Sequence, residues 1–129
     1  MTEEKRFTFT KAERLSLKRH VDFLFDEGKS FVSYPLRVVF CTADVPAPPV
    51  TVFISVPKKK LKRAVKRNRV KRQVREMYRL RKDKFAAVSS LFGKNYFIAF
   101  LYIDDKLHPT SEIAKSMDKI VHILEKKAC

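Results

Sequence analysis

Hydrolytic or metal chemistry needs carboxylates, imidazoles or thiols at defined spacing, and the sequence offers few. Its one Asp-Asp pair is Asp104-Asp105, which follows an apolar run and precedes Lys106. Metal-dependent nucleases hold magnesium with clustered carboxylates, but this pair has no sequence neighbour to complete a ligand set, and aspartate is a common turn residue. It reads as a turn. His20, His108 and His122 fall in three separate segments, none spaced with a cysteine or carboxylate as a ligand set. Cys41 and Cys129 have no cysteine close by in sequence. They read as free thiols of a reducing compartment and not as a zinc motif or a disulfide framework. A G-x-S-x-G nucleophile motif is absent. Gly28 and Gly93 are the only glycines, so no glycine-rich loop can cradle a phosphate. The expectation is a chain with no catalytic residue and no metal site of its own.

What the sequence does offer is positive charge. The formal net charge is +15, from 29 Lys+Arg against 14 Asp+Glu. From Lys58 to Lys84 there are 15 basic residues and only Glu76 and Asp83 as acids, so nearly all the excess lies in one short segment. A focused field of one sign repels itself and destabilises the compact state. A polyanion relieves that repulsion, and nucleic acid is the first candidate. Arginine is abundant in the segment, and its planar fork suits phosphate. Glu76 stands four residues after Arg72 and three before Arg79, spacing that predicts an intrahelical ion pair.

The elements that must position this charge follow from periodicity. The chain has 129 residues, one domain's worth, and 45% of them are hydrophobic. The longest apolar run, Tyr96 to Ile103, is far shorter than the roughly 20 residues of a membrane helix. The charged start MTEEKRF carries no signal-peptide pattern. A cytoplasmic location is expected. Residues 1–9 read as an extended N-terminal segment, and Thr10-Lys-Ala-Glu13 fits a capping box. A helix follows near 18–27, with Leu17, Val21, Leu24 and Phe25 on one face and Phe23 opposite them. Gly28 is placed to end it in the left-handed conformation. Strands are predicted at 36–42 and 50–56. The Pro-rich loop 43–49 between them suggests an antiparallel pair. The basic helix should run from about Ala64 to Lys82, with Val70, Val74, Met77 and Tyr78 on its apolar arc. Asn68, Lys71, Arg72, Arg75 and Arg79 occupy the opposite arc. Phe97 to Ile103 reads as a strand covered on both faces. After Pro109, Thr110 or Ser111 caps a last helix whose stripe is Ile113, Met117, Ile120, Val121 and Leu124. The predicted order is α-β-β-α-β-α, an α+β domain spanning 1–129.

The basic segment also carries an ordered motif. It reads Ile54-Ser55-Val56-Pro57-Lys58-Lys59, a linker, then Arg67-Asn68-Arg69-Val70-Lys71-Arg72-Gln73-Val74-Arg75-Glu76. This resembles the bacterial ribonuclease P protein subunits, whose signature is a strand ending near Ser-Val, a Lys-Lys pair, and Arg-Asn-Arg-x-Lys-Arg-x-x-Arg-Glu. Phe9-Thr10-Lys11, Glu13-Arg14-Leu15, Phe25 and Gly28-Lys29-Ser30 agree as well, so the resemblance spans roughly residues 7–125. It is weakest at 41–50 and 83–95. Lys60-Leu61-Lys62-Arg63 is longer and more basic than the Ile/Val-Gly of many members. Val21 stands where the family has the first of two helix aromatics, and Val39 at a strand position often aromatic.

The resemblance implies a fold like the second domain of a small-subunit ribosomal protein. There the basic helix makes a left-handed β-α-β crossover, although about 98% of such crossovers are right-handed. It implies a subunit that binds a large catalytic RNA and the 5′ leader of precursor tRNA, with hydrolysis carried out by the RNA and its bound Mg2+. Carried onto this chain, Lys58, Lys59, Arg67, Asn68, Arg69, Lys71, Arg72 and Arg75 face RNA near the scissile site. Lys62, Arg63 and Lys66 of the same basic run are counted with them. Val21 and Phe25, with Val39 on the neighbouring strand, line the leader groove. The alternative with the same charge and fold class is a ribosomal-type structural RNA-binding protein. A DNA-binding helix-turn-helix protein fits poorly, because the basic helix is flanked by strands. A self-sufficient nuclease would need Asp104 or Asp105 to hold metal. Partners are therefore RNA, with no membrane and no DNA.

Overall fold

The structure, a computed structural model, describes residues 18–43 and 49–127. The segment read as extended at 1–9, the capping box at Thr10–Glu13, Leu17, Cys129 and most of the Pro-rich loop lie outside those residues. In chain order the elements are α1 (Lys18–Glu27), β1 (Lys29–Ser33), β2 (Leu36–Thr42), β3 (Val50–Ser55), α2 (Ala64–Leu80), α3 (Lys82–Phe92), β4 (Tyr96–Tyr102) and α4 (Thr110–Lys127). The α+β class holds, with one strand (β1) and one helix (α3) more than the sequence pattern suggests.

Sheet order is β1-β2-β4-β3. β4 runs antiparallel to β2 and parallel to β3, so the expected antiparallel pairing of β2 with β3 is wrong. The reason lies in β4 itself. Tyr96, Phe97, Ile98, Ala99, Phe100 and Tyr102 are all 3% exposed or less, so both faces are apolar and covered. A strand of that kind belongs in the middle of a sheet, where both edges are also hydrogen-bonded. It therefore inserts between β2 and β3. The connection from β3 to its parallel neighbour then has to cross over the sheet, and α2 and α3 make that crossing.

On one face α2, α3 and α4 bury Leu36, Val38, Phe40, Val50, Val52, Ile98, Phe100 and Tyr102. On the other, α1 covers Val39, Phe97 and Ala99 with Leu24. β1 pairs with β2 from Lys29↔Phe40 to Ser33↔Leu36 through a turn at Tyr34-Pro35. This edge strand is short and polar, Lys-Ser-Phe-Val-Ser, and has too little alternation to stand out in the sequence. The expected stripe of α4 is buried throughout. So is that of α2, where Val70, Val74, Met77 and Tyr78 are joined by Gln73.

α2 stops at Leu80, two residues before the expected end. Arg81 leaves helical geometry (φ −116°, ψ 15°) and α3 begins at Lys82. Aromatic packing sets the bend. Tyr78 of α2 and Phe85 of α3 have ring centroids 4.9 Å apart, and each lies 5.9 Å from the ring of Phe100 in β4. Such pairs add about 0.5–1.5 kcal/mol each beyond area burial. Arg81 also reaches Asp118 of α4 at 2.5 Å.

The left-handed helix end expected at Gly28 is found at Gly93 instead. Gly93, at the end of α3, has φ +65° and is the left-handed cap. Gly28 does not adopt positive φ. It serves close approach: a Cβ there would lie 2.4 Å from the Leu24 carbonyl oxygen and 2.6 Å from Val39 Cγ1. Removing the side chain lets the end of α1 seat directly on β2.

Candidate nucleic-acid interface

The basic helix is amphipathic in an unusual sense, because its two faces carry core and charge. Val70 and Val74 are fully buried, while Lys66, Asn68, Arg69, Arg72 and Arg75 are exposed and Lys71 is half-buried. The core therefore fixes the helix rotation, and the rotation fixes where the cations point. Gln73, which charge and periodicity did not single out, sets the same angle with polar bonds. Its Nε2 donates to the His108 carbonyl at 3.1 Å and to Thr110 Oγ1 at 3.0 Å, tying α2 to the start of α4. Glu76 bonds Arg79 as the spacing predicts, and that bond lowers the pKa of Glu76.

Preceding α2, the loop from Pro57 to Arg63 presents Lys58, Lys59, Lys60, Lys62 and Arg63, all exposed. The loop is built rather than loose. The Lys60 and Leu61 amides donate to the Pro57 carbonyl, and Leu61 is a core residue at 4% exposure. Arg67 fastens it from the helix side: its Nη1 donates to the Leu61 carbonyl at 2.9 Å and to the Lys62 carbonyl at 2.7 Å. The first arginine of the motif thus spends one arm on holding the basic loop, while its neighbours Asn68 and Arg69 project outward.

The other face of the sheet carries α1 and the residues expected to line the leader groove. Phe25, read on the apolar face of α1 and as a lining of the leader groove, is 42% exposed, and Phe23 is 39% exposed. Among the described side chains of α1 Leu24 is the fully buried one, and Val21 packs at the edge of its cluster. Val39, expected in the groove, is 5% exposed beneath Gly28 and Leu24, so it belongs to the core and offers a ligand little surface. An aromatic missed in the sequence takes that place. Phe53 of β3 meets Phe25 edge to face, with ring centroids 6.2 Å apart. The signal was available, since Phe53 alternates with Val52 and Ile54 and so points to the face opposite theirs.

Asp104 and Glu112 meet at one histidine. Spacing suggested that no histidine meets a carboxylate and that Asp104 stands alone, and the structure corrects both readings. His108 Nε2 lies 2.5 Å from Asp104 and Nδ1 lies 2.9 Å from Glu112. The Tyr34 hydroxyl also bonds Asp104, and Tyr34 and His108 together hold that carboxyl well below the usual carboxylate range. Bonds to Glu112 and then Asp104 raise the His108 pKa, against a smaller effect of burial. Both ring nitrogens are committed, and the ring separates the two carboxylates. Among the described residues no group of three or more His, Cys, Asp or Glu is arranged to hold a metal ion. No described helix is long and apolar enough to cross a membrane.

With this geometry in view, comparison with known proteins is decisive. A family model for ribonuclease P matches residues 9–125. The chain belongs to the ribonuclease P protein family. The ribonuclease P protein component of Porphyromonas gingivalis is 42% identical over 120 residues, covering 92% of this chain and 88% of its own length. That of Chlorobaculum tepidum is 33% identical over 110 residues, covering 79% and 71%. The RNase P protein of Staphylococcus aureus shares the fold, with a TM-score of 0.71 at 23% identity, over 88% of this chain and 95% of its own. The Thermotoga maritima RNase P protein gives 0.62 at 25% identity, over 88% and 96%.

Two outcomes follow for a ribonuclease P family chain built this way. Arg67→Ala should release the basic loop and speed amide exchange at Lys60 and Leu61 by about tenfold or more, given the usual worth of bonds from a charged donor. Arg69→Ala should not. Equal exchange in the two variants would contradict the assignment of Arg67. The His108 corner is tested by pH. Because its folded pKa is raised above 6.5, its stabilising contribution is complete below that value and is lost as pH rises through the folded pKa. Urea unfolding of His108→Gln should therefore show its largest deficit against the parent on the acid side of 6.5, closing at alkaline pH. A deficit that grows with pH would contradict it.

Proposed function

We propose that this chain is the RNA-binding subunit of ribonuclease P, which works with a catalytic RNA to remove the 5′ leader of precursor tRNA. One observation carries the reading: a face of cations, held rigid by a buried opposite face, in a chain of the ribonuclease P family. Lys58, Lys59, Lys62, Arg63, Lys66, Asn68, Arg69, Lys71, Arg72 and Arg75 then contact RNA, with Arg67 ordering the loop that presents several of them. Affinity of this kind is mostly counterion release from phosphates. Val21, Phe25 and Phe53 form an apolar patch on the other face of the sheet, and β3, which carries Phe53, runs on into Lys58-Lys59. That combination suits single-stranded RNA, whose bases stack on rings while cations follow the backbone.

The chemistry is assigned to the RNA. Phosphodiester hydrolysis needs a positioned nucleophile and charge stabilisation at both the attacking and leaving oxygens, commonly from two metal ions. Among the described residues no donor set for such ions is assembled, and the Asp104 and Glu112 carboxylates are engaged by His108. Mg2+ enters through the RNA, and the protein's cations lower the RNA–RNA repulsion that magnesium would otherwise have to screen.

Rigorously RNA-free protein should not cut precursor tRNA in magnesium. Added to its catalytic RNA, it should accelerate cleavage most at limiting magnesium, an effect that fades as magnesium rises. Gel assays of both arms check this. Site-specific cutting by the protein alone, or acceleration independent of magnesium, would contradict the assignment.

A further inference from the structure

Gln73 is the polar residue on the buried face of α2, 8% exposed, in line with Val70, Val74 and Met77. Its partners fix which way the amide points. Both bonds come from Nε2, and one goes to the His108 carbonyl, which can only accept. Oε1 is left buried, with no donor to it among the described residues. A buried acceptor without a donor costs stability, and a methionine would fill similar space without that cost. Gln73 therefore does something that packing does not. Apolar contacts are non-directional, whereas a hydrogen bond restricts both distance and angle. Val70 and Val74 keep the inner face of α2 in the core, and Gln73 narrows the rotation. That precision matters on the outer face, where Arg69, Arg72 and Arg75 flank Gln73 in sequence. At the roughly 6 Å radius of a helix with its side chains, a rotation of about 20° moves a cation by about 2 Å. A shift of that size breaks a hydrogen bond to phosphate.

Both acceptors of Gln73 belong to one short segment, and a side chain holds that segment in place. The His108 ring bridges Asp104, just beyond β4, and Glu112, in the first turn of α4. Neighbouring elements brace the bridge. Tyr34, from the β1–β2 turn, bonds Asp104 and sets its ring edge to face against the imidazole, with centroids 5.5 Å apart. The Tyr102 ring of β4 lies 6.2 Å from it, and the Tyr102 hydroxyl donates to the Lys106 carbonyl. Ser33 and Ser116 fasten the end of β1 to α4: Ser33 Oγ donates to the Ser116 carbonyl at 3.0 Å, and Ser116 Oγ to the Ser33 carbonyl at 2.6 Å. Among the described residues the titratable groups facing the imidazole are thus Asp104, Glu112, Tyr34 and Tyr102, with Asp105 bonded to Asp104 through its amide. From α2 it meets Gln73, which does not titrate. A bridge to two carboxylates uses both ring N–H donors, so it requires the imidazolium. The neutral ring keeps one donor, and one carboxylate then faces a lone pair. Glu112, whose side chain is 55% exposed against 14% for Asp104, is the one that turns away to water.

We propose that Gln73 and His108 are positioning residues for RNA binding: the His108 bridge sets the place of the two acceptors, and Gln73 passes that setting to α2 and its cations. The inference rests on the function proposed above and adds to it a control on affinity exerted from outside the basic segment. The tightest complex with the catalytic RNA then needs the bridge closed. Bonds to Glu112 and Asp104 raise the His108 pKa above 6.5, so the bridge is complete below that value and is lost as pH rises through the folded pKa. RNA affinity falls over the same interval.

The test is equilibrium binding of the full chain to its catalytic RNA, across a salt series and from about pH 6 to 9, with melting temperatures alongside. On the acid side, Gln73→Met should weaken binding by about tenfold, the scale of one charge-assisted contact. It should flatten the salt slope by about 0.7–0.9, the value for one phosphate, and melt within about 4 °C of the parent. His108→Gln should bind weakly on the acid side as well, and close on the parent at alkaline pH. Gln73→Met should lose the same pH dependence of affinity while keeping the parent's pH dependence of stability, because its bridge is intact. A residue with only a structural role would move the melting temperature and leave the affinity of the folded protein and its pH profile unchanged. Thr110→Val removes one of the two acceptors at an exposed position, and should weaken binding by about threefold. It carries the test if Gln73→Met does not fold. A parent that binds the catalytic RNA, with variants that keep its affinity, slope and pH profile, would overturn the positioning role and leave the function standing. A parent that does not bind that RNA would overturn both.

Discussion

β4 must be buried on both faces, and that requirement organises the rest. A strand written Tyr-Phe-Ile-Ala-Phe-Leu-Tyr has no side that can be left to water. It forces helices onto both faces of the sheet and strands onto both of its own edges. With β2 taken as the antiparallel neighbour, β3 is left to pair in parallel, and only a long crossover can make that connection. The crossover is α2 followed by α3. The basic helix is therefore held against the central strand of the protein, its inner residues packed with Phe100 through Tyr78.

Charge and core are coupled through this arrangement. A sequence with a net charge of +15 gains nothing in stability from placing its cations together. The fold tolerates them because the other side of α2 is anchored by Val70, Val74, Met77 and Tyr78, and by Gln73 on the start of α4. The result is a rigid row of positive groups whose positions are set before any RNA arrives. Preorganised cations lose less entropy on binding than mobile ones. The bonds from Arg67 to the Leu61 and Lys62 carbonyls extend the same rigidity to the loop ahead of the helix. The Asp104 carboxylate is tied up by His108 and Tyr34.

Much of this was legible in the sequence where one periodicity runs long enough. The apolar arcs of α2 and α4 and the two-sided burial of β4 follow directly from residue spacing, and the motif identifies the basic face. What escaped notice was set by tertiary contact. The pairing of β2 and β3 looked local because a Pro-rich loop joins them, but β4 outcompetes that hairpin from far along the chain. β1 is too short and polar to show a period. The bend at Arg81 comes from Tyr78 and Phe85 meeting on Phe100, which helical spacing cannot reveal. Gly28 fits a left-handed cap by position, yet its missing side chain answers Val39, a residue on another strand. Phe25 shares a helical arc with Leu24 on paper, yet it lies largely exposed with its ring edge to face against Phe53 of β3. Phe53 needed only the alternation of its strand to be placed on the face opposite Val52 and Ile54.

The central claim is that the outward face of α2, and not the overall charge of the chain, meets the phosphates. Counterion release measures this directly. The salt dependence of binding to the catalytic RNA can be compared for the parent, a variant with Arg69, Arg72 and Arg75 changed to Gln, and one with Lys115, Lys119 and Lys126 of α4 changed to Gln. The two variants carry the same net charge. The first should lose about 2–3 units of salt slope, at 0.7–0.9 per phosphate, and the second should keep the parent's slope. Equal losses in both would show that the face has no privileged role, and would contradict the account.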